Sequence, residues 1–213
     1  MTRCLIDFAL PASLAGWSAI GDVVMGGISR SRFDHDPAGH ASFSGVVSLE
    51  RNGGFASVRS PLLALGAPGA TAYLLEVRGD GQRYKLNLRT DETFDGVSYQ
   101  AAFVAPPAWT TIRLPLAEFR PGFRGRAVPD APPLDPARVR QVGLMIADQQ
   151  IGAVVLTVRG VLPTRIVPSI RATAHNMHDK APRHARVAGE MAMRGWSPTR
   201  ISADRTFHAP AGH

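Results

Sequence analysis

The stretch AYLLEVRGDGQRYKLNLRT, residues 72–90, decides the fold class because its polar and apolar side chains alternate with period two. In its second half the polar positions are Arg83, Lys85, Asn87 and Arg89, and the apolar positions are Tyr84, Leu86 and Leu88. This alternation predicts a strand with one buried and one solvated face. Asp80-Gly81 favours a tight turn, so residues 72–79 and 83–90 are predicted to pair as a β-hairpin.

Short strands of the same kind continue along the chain. They are predicted at residues 41–49, 54–60, 97–105, 109–114, 141–147 and 153–161, and ISRSRF (28–33) also alternates like a strand. Turn-forming residues, favoured by the 21 Gly and 17 Pro of the chain, separate these segments. A single helical turn is predicted at 135–139. Many short strands with regular turns predict an all-β sandwich or barrel.

The positive charge of the chain is concentrated at its C-terminal end. The 213 residues carry a net charge of +7, of which residues 164–213 contribute +5 from seven Arg and one Lys against two Asp and one Glu. We therefore predict a β-sandwich domain at residues 1–163 and a basic, largely irregular extension at residues 164–213, with one short helix at about 182–194. Such an extension is either a solvated cationic segment or a contact for nucleic acid or an anionic membrane surface.

The N-terminal residues and the cysteine content bear on the compartment. Cys4 is the single cysteine, so no internal disulfide forms. The first residues, MTRCLIDFALPASLAG, lack the apolar core of a secretory signal and the composition of a transit peptide. The sequence contains no run of 18 apolar residues. These features predict a cytoplasmic protein, and the Ala-, Arg-, Gly- and Pro-rich composition indicates a bacterial one.

The stretch GDVVMGGISRS, residues 21–31, raises the question of a nucleotide-binding loop. It contains neither G-x-G-x-x-G nor G-x-x-x-x-G-K, and a strand pattern follows it, so its paired glycines are interpreted as a turn with positive φ. The only histidines in the β region that could activate Cys4 are His35 and His40, which lie in one polar segment, and no G-x-S-x-G elbow is present. We predict that the protein is not an enzyme and holds no cofactor.

Metal binding has two weak candidates in the sequence. His175 and His178 could share a helix face, but no third ligand accompanies them. Carboxylates of the kind that calcium prefers occur in the predicted loops at Asp22, Asp80 and Asp148, although no dense acidic run exists. We predict no metal site, and calcium remains an open alternative.

Two polar regions are candidate docking surfaces. Arg83, Lys85 and Arg89 project from one side of one strand, which is either a solvated outer face or a face that docks a partner, a glycan or an acidic surface. The stretch FRPGFRGRAV, residues 119–128, surrounds two glycines with phenylalanines and arginines. That composition is typical of interface anchors, and the alternative is a loop pinned by two buried phenylalanines.

Several separate motifs resemble one known family. Trp17 is followed, in order, by GDVVMGGISRS, FSGVVSLERNGGFASVRS, RGDGQRYKLNLRT and WTTIRLPLAEFRPGFRGR. Together these segments resemble the complex I intermediate-associated protein family from about Trp17 to Val161, and M-G-G-x-S is a hallmark of that family. The resemblance implies a jelly-roll β-sandwich of the galactose-binding-like type. It also implies a chaperone-like assembly factor for respiratory NADH:ubiquinone oxidoreductase (complex I) or another membrane complex.

The resemblance carries no catalytic residue and no cofactor to this chain. It implies protein partners and these partner-binding positions: Asp22, Met25, Gly26, Gly27, Ser29, Asn52, Arg83, Lys85, Asn87, Arg124 and Arg126. The basic extension predicts, in addition, peripheral contact at the inner face of a membrane. Two alternatives stay open. One is a carbohydrate-binding module that uses Trp109 or Tyr99, although both fit buried strand positions. The other is RNA binding through the basic extension.

Overall fold

The structure is a computed structural model, and it describes residues 4–22, 26–91 and 96–165. Within those ranges the chain forms thirteen β-strands and short 3-10 turns, without an α-helix. The strands are β1 Ile6–Asp7, β2 Ser18–Gly21, β3 Arg30–Asp36, β4 His40–Val47, β5 Ala56–Arg59, β6 Ala72–Gly79, β7 Arg83–Arg89, β8 Ser98–Val104, β9 Thr110–Pro115, β10 Arg120–Phe123, β11 Arg126–Ala127, β12 Gln141–Ile146 and β13 Gly152–Thr164. The 3-10 turns are Pro11–Leu14, Glu50–Asn52, Leu116–Glu118 and Pro136–Arg138.

The strands form two antiparallel sheets that enclose one core. The six-stranded sheet has the order β3-β4-β13-β6-β9, and β1 also pairs with β13. The seven-stranded sheet has the order β11-β10-β8-β7-β12-β5-β2. The predicted jelly-roll sandwich is therefore confirmed. All of the predicted strands occur, whereas β1, β2, β10 and β11 were not predicted because two to four residues are too few to show a period.

The predicted hairpin between residues 72–79 and 83–90 is wrong. β6 pairs with β13 and β9, whereas β7 pairs with β8 and β12 in the other sheet. The turn itself is present, with Gly81 at φ +83°. Both strands carry an apolar face, and the two faces cover the same core from opposite sides. The segment 72–90 is thus a crossover between sheets, and Glu76 and Arg78 do not lie beside β7.

The carboxylate of Asp80 fixes this crossover. Its Oδ2 accepts hydrogen bonds from the Tyr84 hydroxyl and from the backbone N–H of Val155, both at 2.8 Å. Tyr84 belongs to the seven-stranded sheet and Val155 to the six-stranded sheet. One side chain therefore links both sheets at the point where the chain passes between them.

The core is built from the inward-facing positions of both sheets. Tyr84, Leu86 and Leu88 of β7 are fully buried, which confirms the alternation seen in the sequence. Across the core they face apolar side chains of the six-stranded sheet, chiefly Phe43, Tyr73, Leu75, Val77, Leu156 and Val158. Phe8, Trp17 and Phe33 pack against one another with ring centroids 4.8 to 5.5 Å apart.

Two further predictions concern the single helical turn and the C-terminal boundary of the domain. The helical turn predicted at 135–139 is confirmed by the 3-10 turn Pro136–Arg138, where the Asp135 side chain accepts from the backbone N–H of Ala137. β13 continues to Thr164, one residue beyond the predicted boundary of the domain. The helix predicted at 182–194 and the histidines at 175 and 178 lie outside the described residues.

Candidate functional site

The first part of the candidate site is a buried carboxylate in the GDVVMGGISRS stretch. Asp22 is fully buried and accepts hydrogen bonds from the backbone N–H of Ser29 at 2.9 Å and of Gly54 at 2.8 Å. It also accepts from the Ser29 hydroxyl at 2.5 Å and more weakly from the Phe55 N–H at 3.4 Å. Burial alone would raise the pKa of Asp22, but these hydrogen bonds outweigh burial and hold the pKa below its usual value.

Close packing around this carboxylate explains the paired glycines. A Cβ on Gly27 would lie 2.3 Å from Asp22 Oδ1, and a Cβ on Gly53 would lie 2.6 Å from Asp22 Oδ2. Gly26 has φ +89°, a conformation that favours glycine. The Asp22 carboxylate thus forms a closely packed junction between the loop before β3 and the loop before β5.

The junction includes Asp22, Gly27 and Ser29 of the predicted partner-binding set. Asp22 and Ser29 are 0% and 1% exposed, so in this structure their side chains hold the loops together and lie below the surface. Gly27 is buried against Asp22, whereas Gly26 is exposed. Met25 and the side chain of Asn52 lie outside the described part of the structure.

The second part is the outer face of the seven-stranded sheet, where the predicted residues of β7 lie. Lys85 Nζ forms an ion pair with Asp148 Oδ1 at 2.7 Å. The Gln150 side chain fixes the backbone of Arg83, accepting from its N–H at 2.9 Å and donating to its carbonyl at 2.7 Å. Asn87 Oδ1 is buried and has no hydrogen-bond partner. The sequence placed Arg89 on the same solvated face, but it is only 8% exposed.

Neighbouring strands extend this face on both sides of β7. Arg59 on β5 and Asn87 both lie opposite Gly143, and Arg120 on β10 lies opposite Gln100, the β8 partner of Asn87. We call the exposed and partly exposed cationic members of this surface the basic face, and they are Arg59, Arg83, Lys85 and Arg120. Among the outward-facing strand residues that the structure describes on this sheet, none is acidic and none is aromatic.

The third part is the FRPGFRGRAV stretch, which forms a β-hairpin rather than the predicted loop. β10 and β11 are joined by Arg124 and Gly125, both with positive φ, as a two-residue turn requires. Phe119 is buried at 4% exposure, whereas Phe123 is 37% exposed and the Arg124 guanidinium lies 5.2 Å from its ring centroid. One phenylalanine therefore anchors the hairpin, and the other is presented to solvent with the arginines.

The structure does not bring all predicted partner-binding residues together. Arg120 is level with Asn87, and β10 runs in the same direction as β7. The hairpin tip with Arg124 therefore extends past the Arg89 end of β7, away from Arg83. The basic face and the hairpin tip are separate regions of one sheet.

The two aromatic residues predicted for the carbohydrate alternative, Tyr99 and Trp109, are engaged in contacts within the protein. Tyr99 is buried at 4% exposure and its hydroxyl donates to the Pro132 carbonyl at 2.9 Å. Trp109 lies on the outer side of the other sheet and is partly exposed, which corrects its interpretation as core. The Arg159 and Arg78 guanidinium groups lie 4.1 and 5.0 Å from the Trp109 ring centroid, so two cationic side chains of the protein itself pack on this ring.

The residues considered for catalysis are held in structural contacts. Burial, and then the neighbouring Asp7 carboxylate, raise the pKa of the Cys4 thiol, so the reactive thiolate is scarce at neutral pH. His35 Nε2 lies 3.1 Å from the Phe8 carbonyl oxygen.

In the described ranges no three His, Cys, Asp or Glu residues form a group that could hold a metal ion. Among the described residues, no helical segment is long and apolar enough to cross a membrane.

A family model described as Complex I intermediate-associated protein 30 matches residues 6–158. A Drosophila melanogaster protein, "Complex I intermediate-associated protein 30, mitochondrial", is 25% identical over 167 residues, which cover 68% of this chain and 56% of the relative. The chain therefore spans about half the length of this curated relative.

Solved structures similar to this chain include carbohydrate-binding modules. The family 11 module of the Clostridium thermocellum cellulase Lic26A-Cel5E has a TM-score of 0.59 and 14% identity, with 76% of this chain and 94% of the module covered. The family 11 module in complex with a beta-1,3-1,4-mixed-linked tetrasaccharide has a TM-score of 0.54 and 14% identity, with 71% of this chain and 90% of the module covered. At this identity the likeness shows the fold alone.

Proposed function

The chain belongs to the Complex I intermediate-associated protein 30 family, and from this premise we propose that it is a non-catalytic scaffold that binds protein partners during assembly of respiratory complex I. The observation that carries the proposal is the extent of the family match, which covers the sandwich from β1 to Val158 of β13. The matched region includes the Asp22 junction and the basic face.

The geometry supports binding rather than catalysis. The Asp22 carboxylate is saturated by hydrogen bonds, and the Cys4 thiol has a raised pKa, so neither is poised for proton transfer or nucleophilic attack. The two hydrogen-bonded sheets are linked by Asp80, and a surface that is ordered before binding loses little conformational entropy on binding. On this proposal, an assembly intermediate binds the exposed residues of the seven-stranded sheet and its β10–β11 hairpin.

The compartment and the exact client are part of the proposal. The Drosophila relative is described as mitochondrial, whereas the sequence favours a bacterial cytoplasmic protein at the inner face of the membrane. Either location places the protein where a membrane-embedded respiratory complex is assembled. A different membrane complex is the alternative client.

The hairpin offers the sharpest test of this proposal. The tagged full-length protein is purified from membranes of its own organism, and the recovered proteins are identified by mass spectrometry. The test variant is Arg124→Glu with Arg126→Glu. The control is Arg32→Glu with Arg113→Glu, which makes the same charge change at exposed positions of the other sheet.

We expect complex I membrane-arm subunits with the unsubstituted protein and the control, and at least about tenfold less with the hairpin variant at an unchanged melting temperature. Recovery of another membrane complex would support the alternative client. Recovery of ribosomes, or of soluble background only, would overturn the proposal.

A further inference from the structure

The strand β3, with the sequence RSRFDHD, forms one edge of the six-stranded sheet. It pairs with β4 along its whole length. On its other side no strand among the described residues forms a ladder with it, and the nearby β2 of the other sheet pairs with β5 instead. The backbone N–H and C=O groups on the open side of an edge strand are able to pair with a further strand.

The charges of β3 are ordered so that the strand is complementary to a reversed copy of itself. Two basic side chains and then two acidic ones lie at its exposed positions, Arg30, Arg32, Asp34 and Asp36. Let two copies of β3 run antiparallel with Phe33 opposite Phe33. Each Arg30 then lies opposite Asp36 of the second copy, and the other arginine of each copy lies opposite the other aspartate. Opposite charges placed across a strand pair stabilise it, whereas like charges destabilise it.

This charge order selects a single register for the pairing. If the outer faces of both copies stay on the same side, a change of register moves the strands by two residues or a multiple of two. A shift of this kind places Arg32 opposite an arginine or Asp34 opposite an aspartate. Charged side chains often protect an edge strand from self-pairing, and charges of one sign would repel a copy in every register. In β3 like charges meet in every register except one.

Within one chain the same charges form only exposed ion pairs. Arg32 Nε lies 2.9 Å from Asp34 Oδ2, and the two side chains are 77% and 60% exposed. Asp36 Oδ2 lies 3.5 Å from His40 Nε2, and the Asp36 side chain is 49% exposed. Exposed pairs of this kind contribute little to stability, so exchanging them for pairs between two copies has a small free-energy cost. The charges therefore select the register, and backbone hydrogen bonds and apolar contact supply the affinity.

The apolar contact is centred on Phe33. Its ring packs in the core against Phe8 and Trp17, with centroids 5.4 and 4.8 Å apart, yet the side chain remains partly exposed at the edge of the sheet. Opposite residues of an antiparallel pair have Cβ atoms about 4.5–5.5 Å apart. The two Phe33 side chains would then touch and lose exposed area, and aromatic pairs across strands are favourable.

We propose that two copies of this chain associate by antiparallel pairing of their β3 strands, with Phe33 opposite Phe33. The same strand serves both copies, so the contact is closed by a twofold axis and the assembly ends at a dimer. It joins the two six-stranded sheets into one continuous sheet. The β10–β11 hairpin belongs to the other sheet, so the dimer and the proposed partner binding are independent of each other.

The test reverses the charges of β3 in two variants and then mixes them. Arg30→Glu with Arg32→Glu makes all four exposed charges of the strand acidic, and Asp34→Lys with Asp36→Lys makes them all basic. The molar mass of the full-length protein is measured by sedimentation equilibrium at low ionic strength over a range of concentrations. We expect the unsubstituted protein to dimerise and each variant alone to dimerise at least about tenfold more weakly. An equimolar mixture of the two variants should form a heterodimer.

A matched control separates this pairing from general attraction between opposite charges. Glu118→Lys with Asp130→Lys makes the same charge change as the basic β3 variant at exposed positions away from β3. Mixed with the acidic β3 variant, it should form no heterodimer. Recovery of a dimer in the first mixture also shows that both β3 variants are folded, and circular dichroism checks each variant alone.

Three results would overturn the inference. They are an unsubstituted protein that stays monomeric at every concentration, β3 variants that dimerise as strongly as the unsubstituted protein, and folded β3 variants that fail to form a heterodimer. The Arg32→Glu with Arg113→Glu variant is expected to weaken dimerisation and still to recover the membrane-arm subunits. The dimer and the proposed function can therefore fail separately.

Discussion

The Asp22 carboxylate accepts two hydrogen bonds from Ser29, one from the backbone N–H at 2.9 Å and one from the hydroxyl at 2.5 Å. The Ser29 hydroxyl oxygen also accepts from the backbone N–H of Ser48 at 3.0 Å. This pair of buried residues therefore joins the loop before β3 to the loop after β4. Asp22 and Ser29 form a structural junction, and its contribution to stability can be measured.

Asp22→Asn should destabilise the protein. The amide replaces one acceptor oxygen with an NH₂ group that faces the N–H and O–H donors of Ser29 and Gly54, and it removes the negative charge that strengthens these bonds. We expect the free energy of unfolding, measured by urea denaturation, to fall by about 2–4 kcal/mol. The control Asp34→Asn, at an exposed ion pair, should change it by less than about 0.5 kcal/mol. Similar losses in both variants would contradict the junction.

The same carboxylate predicts a pH dependence of stability. The pKa of Asp22 is lower in the folded state than in the unfolded chain, so the unfolded chain binds the proton more readily as pH falls. The stabilisation by Asp22 is complete above the pKa of an aspartate in the unfolded chain, about 3.9. It is lost as the pH falls through the lower pKa that Asp22 has in the folded protein. Urea unfolding at a series of pH values should show that, at acid pH, the free energy of unfolding falls less steeply with pH for Asp22→Asn than for the unsubstituted protein. The same dependence of unfolding free energy on acid pH in both proteins would show that Asp22 is not the group responsible.

Gly27→Ala tests the close packing around the carboxylate. The new methyl group would lie 2.3 Å from Asp22 Oδ1, a distance at which the loop or the carboxylate must move. We expect a loss of about 1–3 kcal/mol in unfolding free energy. A matched control is Gly122→Ala, where the nearest atom would be 3.4 Å away and φ is not positive. If the control variant loses as much stability as Gly27→Ala, a general preference for glycine would explain the effect.

The sequence predicts the strands of this fold better than it predicts their pairing. The alternation in residues 83–90 identifies β7 and its buried face because period two is a local property of the chain. The pairing of β6 with β13 depends on contacts about eighty residues apart, and both β6 and β7 have an apolar face that satisfies a hairpin equally well. The Asp80-Gly81 turn is the same in either arrangement, so it does not distinguish them.

In the candidate site, too, the sequence predicts local features better than long-range contacts. The row of Arg83, Lys85 and Asn87 is predicted because it follows from one strand. The burial of Asp22 is not, since it depends on Gly54, which lies thirty-two residues away along the chain. The available signal was the coincidence of Gly26-Gly27 with Gly53-Gly54, because pairs of glycines in two loops indicate a close approach of backbone to a shared group.

Trp109→Ala distinguishes a structural tryptophan from a sugar-binding one. The ring contacts the guanidinium groups of Arg159 and Arg78 and the edge of His40, at 4.1, 5.0 and 5.5 Å between centres. Because these contacts hold the side chains of three strands together, we expect the substitution to lower the unfolding free energy by about 1–3 kcal/mol. Trp109→Phe, which keeps an aromatic face, should recover most of that loss. A glycan array should give no signal that depends on Trp109, whereas unchanged stability with lost glycan binding would favour a carbohydrate-binding module.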